Sequence, residues 1–312
     1  MSIRDKVNFV PHLKFDSANE FIKDRKCEAV PINNVIYKSD EPEQQWIAES
    51  TEKIGYFRSK ARSSYFRWAM TINGLHVASQ KYEENDQDTE FEIKSLRRKH
   101  GNVASETLAS WTMHEAAESH ITTSHTIVYY GICDLHACLE ECILDLYRIY
   151  KKHNPLDLMT GDYKYLKGVR KKSRRSTGHL KKWEQEIEQR LNLWERNISS
   201  GKSLKNIFLA YADQASIKKP SRFVYTDIKT WSESIGIISL LRNQITHGES
   251  KASKELASLC ELPHSLGFRF SEGDDLDLRL YHMQLVEMFI HEFFNAINIS
   301  LVEKAASSYP RT

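Results

Sequence analysis

The chain has 312 residues, of which 40% are hydrophobic and 28% are charged, the proportions of a soluble globular protein. Its formal net charge is only +2, which excludes a polycationic surface over the whole molecule, so any nucleic-acid binding must come from local patches. The N-terminus lacks the apolar core of a signal peptide and no apolar run approaches a membrane span, so we expect a cytoplasmic protein without membrane contact. The five cysteines are odd in number and form no Cys-x-x-Cys pair, which indicates reduced thiols.

Helical periodicity dominates the chain. Glycine and proline are few, 12 and 7 respectively, and apolar residues recur at three- and four-residue steps, which predicts an all-α fold. The first 42 residues are irregular, and residues 44–82 are predicted to form one long helix or two broken ones. The apolar stripe of this segment is rich in aromatic residues, and we interpret it as core or interface rather than a platform for stacked bases.

A change in charge pattern suggests where the chain divides. Residues 83–102 join an acidic run to a basic run and are predicted to be a solvated linker or a helix extension. We place a domain boundary there, between residues 1–104, mostly helical from about residue 44, and residues 105–312. The second part opens with a helix predicted over residues 105–152 and bent near Gly131.

Three more long helices are predicted downstream, at residues 180–199, 226–248 and 280–304. The middle one has Thr226 or Asp227 as its N-cap and Gly248 as the glycine that follows its end. Its apolar residues recur on one face, which predicts burial of that face. Residues 265–276, between the last two helices, are predicted to form a small hairpin or lid.

The middle helix ends in a set of polar residues, Arg242-Asn243-Gln244-Ile245-Thr246-His247. A guanidinium can hold two phosphate oxygens, an imidazole can transfer a proton near neutral pH, and an amide can orient either partner. Arg242 follows Ile238 by four residues and projects from the edge of the apolar stripe, where its desolvation requires an anionic partner. The set therefore suits a phosphodiester. The alternative is a structural ion pair of Arg242, with His247 as a polar helix cap.

The spacing Arg-Asn-x-x-x-His resembles the signature of the HEPN superfamily, all-helical domains found in many prokaryotic ribonucleases, toxins and antiviral effectors. The order of four long helices, with the motif ending the third, extends this resemblance over about residues 105–306. It implies a HEPN-like four-helix bundle, preceded here by the mostly helical N-terminal region. It also implies an RNA-cleaving site of Arg242, Asn243 and His247 that needs neither metal nor cofactor. In the family an acidic residue of the first helix often faces the motif arginine, and Glu140 is the better match.

The resemblance further implies a metal-independent endoribonuclease that acts as a homodimer on RNA, as a toxin or antiphage effector with an antitoxin or defence-system protein as partner. Around an ideal helix Arg242 and His247 lie about 140° apart. The arginine must therefore reach around, the last turn must tighten or unwind, or two chains must share the site. Two alternatives remain: a non-catalytic dimerisation module, in which the motif is an interface ion pair, and an RNA-binding regulator.

Two secondary features accompany the motif. Residues 164–182, predicted to lie in a charged loop and the start of the next helix, carry many lysines and arginines and no acid. They form either a solvated, partly disordered loop or a surface that contacts RNA phosphates; the candidate contacts are Lys171, Lys172, Arg174 and Arg175.

His136 lies one turn before Glu140, and either joins the motif or is a surface residue. No histidine or cysteine spacing predicts a metal site.

Overall fold

The computed structural model describes residues 34–84, 90–99, 101–173, 176–221, 223–262 and 266–307. Helix α1 spans Gln45–Glu83 and is followed by an antiparallel hairpin of β1 (Glu90–Lys99) and β2 (Asn102–Thr112). The other helices are α2 (Met113–His153), α3 (Leu166–Ser173), α4 (Thr177–Gly201), α5 (Leu204–Gln214), α6 (Ile228–Thr246), α7 (Lys254–Cys260) and α8 (Leu280–Ser307). The predicted, mostly helical character is confirmed.

The hairpin corrects two predictions. The segment 83–102 is neither a linker nor only a helix extension, since α1 ends at Glu83 and β1 occupies Glu90–Lys99. The helix predicted from residue 105 begins at Met113 instead. A capping box fixes this start: the Glu115 N–H donates to Thr112 Oγ1 (3.2 Å), and the Thr112 N–H donates to the Glu115 carboxylate (2.9 Å).

The apolar core joins α1 to the later helices. Helix α1 lies along α2, and both helices pack against α8. Trp46, Ile54 and Phe57 of α1 are buried in the same cluster as the apolar face of α2. Ion pairs line the seam, including Lys60 to Glu141 at 2.6 Å. The predicted boundary at residues 104 and 105 falls inside β2, whereas the buried residues of α1 belong to the core that positions α2.

Gly131 allows the central helices to approach closely. Helix α2 is an uninterrupted α-helix through this residue, which is buried. A methyl group at Gly131 would overlap the Met283 sulfur of α8 and would lie 3.3 Å from Trp68 of α1. A side chain at this position would therefore force Met283 or Trp68 to shift where α2 crosses its two neighbours.

Helix α8 is the central apolar helix of this core. By length and composition alone it could cross a membrane, contrary to the expectation that no segment would, but 56% of its most apolar stretch is buried inside the protein. Phe293, Phe294 and Ile297 are at most 1% exposed. Its apolar composition is accounted for by its contacts with α1, α2 and α6.

Two predicted loops differ from expectation. The described part of the basic segment is mostly helical, with α3 packed against α4; Ile187 and Leu191 of α4 form a small apolar cluster with Leu158. The described residues from Leu266 to Leu276 form turns and one bridge, Lys251 to Asp275, rather than a hairpin. Helix α5, which the sequence reasoning missed, is short and packs against α6.

Candidate functional site

Helix α6 presents the motif, and local hydrogen bonds set both of its ends. Asp227 forms a capping box with Thr230 at the N-terminus. At the C-terminus the Glu249 N–H donates to Gln244 O (3.0 Å) and the Gly248 N–H donates to Ile245 O (3.1 Å), which is a Schellman motif. Gly248 has φ +72°, a conformation that glycine adopts without strain. The predicted bounds of this helix are therefore confirmed.

The guanidinium of Arg242 is held at two points. Its Nη2 lies 3.4 Å from Glu140 Oε2 of α2, and its Nη1 donates to Asn243 Oδ1 at 3.0 Å. The Arg242 side chain is 33% exposed and that of Glu140 is 38% exposed. The structure thus brings together three of the residues singled out from the sequence, and leaves part of the guanidinium open to an incoming anion.

A buried hydrogen bond lies beside this ion pair. Ser239, one turn before Arg242, donates its hydroxyl to Ile235 O (2.8 Å), so the same oxygen accepts from His136 Nε2 at 3.0 Å. His136 is 2% exposed, so its assignment as a surface residue is wrong. Its Nδ1 has no hydrogen-bond partner within the described ranges. Sequence reasoning missed Ser239, although a hydroxyl one turn from the motif arginine on an apolar helix was a visible signal.

The electrostatics of this cluster follow from burial and from Arg242. Burial, followed by the nearby charge of Arg242, lowers the pKa of His136 to about 4. Burial raises the pKa of the Cys133 thiol, against the opposing effect of Arg242. The imidazole and the thiol are therefore neutral near pH 7, and Glu140 is the carboxylate that faces the guanidinium. Neutral groups beside Arg242 favour the binding of an anion, because additional carboxylates would compete with that anion for the guanidinium.

His247 stands apart from the cluster. It is the C-cap of α6, with φ −86° and ψ 0°, and its backbone N–H donates to Asn243 O at 3.0 Å. The side chain is exposed and makes no hydrogen bond or ion pair with any residue the structure describes. The last turn keeps helical geometry, so unwinding, one of the alternatives left open by the sequence, does not occur, and no hydrogen bond or ion pair in the described structure joins His247 to Arg242.

A cavity of about 430 Å³ opens beside the end of α6. Tyr129, Ile245 and Gly248 form part of its wall, and the carboxylates of Asp275 and Asp277 also line it. Lys251 pairs with Asp275 at 2.9 Å and Arg279 pairs with Asp277 at 2.7 Å, so both carboxylates are already held by cations.

Two of the four proposed RNA contacts lie on the pair of helices α3 and α4, at the far end of α2. Lys171 and Lys172 are exposed on α3, whereas Arg174 and Arg175 lie outside the described residues. Arg148 lies on α2 two turns beyond Glu140 and forms ion pairs with Glu188 and Glu195 of α4. These ion pairs hold α4, and with it α3, against the helix that carries Glu140.

Within the described part of the chain, no group of three histidine, cysteine or acidic side chains is arranged to hold a metal ion. Comparison of the whole chain with known proteins found no matching family model, no similar curated protein and no similar solved structure.

Proposed function

We propose that this protein is an endoribonuclease whose site is built from Arg242, Asn243 and His247, with Glu140 in support. The observation that carries the proposal is the partly exposed guanidinium of Arg242, held by Glu140 and Asn243 five residues before an exposed histidine. A guanidinium fixed in this way suits an anion with two oxygens, and an exposed imidazole can transfer protons at neutral pH. Metal-independent RNA cleavage can use both groups, the imidazole for proton transfer and the guanidinium for the charge on the phosphoryl oxygens.

In the proposed reaction His247 accepts the proton of a ribose 2′-hydroxyl, whose oxygen attacks the adjacent phosphorus. The bond from phosphorus to the 5′-oxygen breaks, that oxygen takes a proton from water, and the protonated His247 gives its proton to the resulting hydroxide. The products are a 2′,3′-cyclic phosphate and a 5′-hydroxyl. Arg242 stabilises the charge that develops on the phosphoryl oxygens, and Asn243 positions the guanidinium. Proton transfer of this kind contributes about 10²–10⁴-fold, and electrostatic stabilisation adds about 10²–10³-fold.

The separation of His247 from Arg242 favours a site shared by two copies. Within one chain the two side chains point about 140° apart, and the last turn does not unwind to bring them together. In a two-fold dimer the arginine of one copy faces the histidine of the other. This arrangement matches the resemblance of the motif to HEPN ribonucleases, and in that context we propose a toxin or antiphage effector with an antitoxin or defence-system partner.

The test is cleavage of RNA by the purified protein in EDTA. We expect fragments that end in a 2′,3′-cyclic phosphate, and we expect Arg242→Ala and His247→Ala each to lower the rate by about 10²-fold or more. The matched controls are Arg196→Ala and His76→Ala, which change exposed residues outside the site and should cleave like the natural protein. Circular dichroism checks that all four variants are folded. A strict requirement for added divalent ions, or undiminished cleavage by both site variants, would refute the proposal.

The ion pair between Arg242 and Glu140 also favours a second function. A non-catalytic dimerisation module would need this pair only to stabilise an interface, without any role for His247. In that case RNA remains intact, and Arg242→Ala weakens self-association while His247→Ala does not.

A further inference from the structure

The hairpin of β1 and β2 forms an arm that stands out from the helices. Nearly every residue of both strands is exposed or partly exposed, and a lone two-stranded hairpin is only marginally stable in water. An aromatic cluster holds its base: Phe91 contacts Tyr82 of α1 and His120 of α2, with ring centroids 5.6 and 6.1 Å apart, and Trp111 of β2 at 6.1 Å. The base of the hairpin is anchored to α1 and α2, whereas the described residues of its distal half are not packed into an apolar core.

The distal half is positively charged. Between Glu92 and Glu106 the sequence has Lys94, Arg97, Arg98 and Lys99, without an acidic residue. Lys94 pairs with Glu92 at 2.8 Å. The Arg97 and Arg98 side chains are exposed, and neither forms an ion pair with any residue whose placement the structure gives. Two unpaired guanidiniums at the end of an arm favour a polyanionic partner.

The strand register places these two arginines on opposite faces. Arg97 lies opposite Ala104 and Arg98 opposite Val103, and successive side chains of a strand point to opposite sides. Val103 shares the face of Arg98 and is 62% exposed. The arm therefore offers positive charge on both faces, with apolar surface beside one of the cations.

We propose that this hairpin inserts into the major groove of double-stranded DNA. A sheet with its side chains is about 10 Å thick, and the major groove of B-form DNA is about 12 Å wide and admits a two-stranded ribbon. Phosphates line both walls of that groove. Arg97 contacts the phosphates of one strand and Arg98 those of the other. The hairpin is remote from Arg242, and its binding to DNA does not depend on RNA cleavage.

Two other polyanionic surfaces fit less well. A membrane surface presents charge to one side only, whereas the arginines lie on both faces; moreover, the four residues that separate Arg98 from Val103 in the sequence include no apolar side chain to insert into lipid. Duplex RNA has a major groove that is deep and narrow, which does not admit a ribbon. The thickness of the arm and its two-sided charge together favour B-form DNA.

The experiment measures binding of the full-length protein to a labelled 20-base-pair DNA duplex by fluorescence anisotropy, between 50 and 200 mM KCl. For the double variant Arg97→Gln/Arg98→Gln we expect the salt-dependence slope to fall by about 1.8, because each lost contact removes about 0.9. At 50 mM salt this corresponds to roughly a hundredfold weaker binding. The charge-preserving variant Arg97→Lys/Arg98→Lys should keep most of the affinity, because lysine also binds phosphate as a point charge.

A matched control removes the same charge elsewhere. Lys218→Gln/Lys219→Gln changes two adjacent exposed cations outside the arm and should leave both affinity and slope unchanged. Circular dichroism checks that the helices of each variant are intact. The proposal is overturned if Arg97→Gln/Arg98→Gln binds DNA as the natural protein does, if this substitution weakens binding of a duplex RNA of the same sequence as much as binding of DNA, or if anionic phosphatidylserine vesicles rather than DNA are bound through these arginines.

Discussion

At the scale of single residues, the candidate site depends on which groups near Arg242 are charged. Glu140 is partly exposed and faces the guanidinium, whereas His136 is buried and remains neutral because its pKa is lowered to about 4. The carboxylate of Glu140 is enough to orient the guanidinium of Arg242. The neutral imidazole of His136 does not compete with an external anion for that guanidinium. The arginine thus keeps its capacity for an external anion.

Replacing Glu140 separates orientation from stability. An ion pair with both partners more than 30% exposed contributes about 0.2–1 kcal/mol, so Glu140→Gln should change the free energy of unfolding by no more than that. RNA cleavage should fall by about tenfold, equivalent to ~1.4 kcal/mol of transition-state stabilisation, because the guanidinium is no longer held. Glu141→Gln is the control, since Glu141 pairs with Lys60 instead. Equal cleavage by the two variants would contradict this role of Glu140.

Burial of His136 makes stability dependent on pH. Its pKa is about 4 in the folded protein and about 6.5 in the unfolded chain, so the unfolded state binds the extra proton between these values and stability falls as the pH decreases below 6.5. His136→Gln removes the part of the pH dependence of stability that comes from this histidine. Between pH 7.5 and pH 5 the variant should lose about 2 kcal/mol less unfolding free energy than the natural protein, as measured by urea denaturation. The exposed His76→Gln should show no such difference; an identical pH dependence of all three proteins would refute the assignment.

At the scale of elements, helix ends follow local hydrogen bonds and helix positions follow close packing. The capping box at Thr112 starts α2 and the Schellman turn at Gly248 ends α6. The lateral position of α2 depends on Gly131, whose missing side chain leaves room for Met283 and Trp68. Because Glu140 lies on the same helix nine residues later, this crossing also positions the site.

Gly131→Ala should therefore be destabilising. The added methyl group would have to displace Met283 and press against Trp68, and overpacking of this kind costs about 1–3 kcal/mol. Gly74→Ala makes the same substitution in α1, where no atom lies within 4 Å of the new carbon, and should stabilise the helix by about 0.5–1 kcal/mol. Thermal denaturation compares the two variants. If Gly131→Ala were as stable as Gly74→Ala, the close approach of α2 and α8 would be disproved.

At the scale of the whole molecule, α1, α2, α6 and α8 form one continuous core, with the α3–α4 pair at one end of α2 and the hairpin at the other. Glu140 lies between these two basic surfaces along α2, with Lys171 and Lys172 on one side and Arg97 and Arg98 on the other. Substitutions on either basic surface therefore change residues that do not contact the candidate site.

Assembly tests whether two copies share the site. Size-exclusion chromatography with light scattering should give a dimer or a higher oligomer at micromolar concentration. If each site takes Arg242 from one copy and His247 from the other, an equal mixture of the Arg242→Ala and His247→Ala proteins contains heterodimers with one intact site. Such a mixture should recover about a quarter of the natural activity, provided that subunits exchange freely. A strictly monomeric protein that cleaves RNA, or a mixture without any recovery, would contradict the shared site.

The sequence by itself determined the features that depend on nearby residues. The spacing of apolar residues predicted the long helices. Asp227 and Gly248 predicted the two ends of α6, because capping involves residues only three to six positions apart. The same reasoning failed for the hairpin, since exposed strands with a bulge at residues 93 and 94 lack the strict alternation that marks a buried strand. Its pairing depends on contacts that a linear pattern does not display.

Only the tertiary structure decided what surrounds the motif. The family resemblance had named Glu140 as the partner of Arg242, but the two residues are 102 apart in the chain, and only the packing of α2 beside α6 brings them into contact. The burial of His136 depended on the same packing, because a histidine one turn from Glu140 suits either face of an isolated helix. Sequence chemistry specified which groups were available, and helix packing determined which of them meet, since burial and charge pairing are properties of neighbours in space.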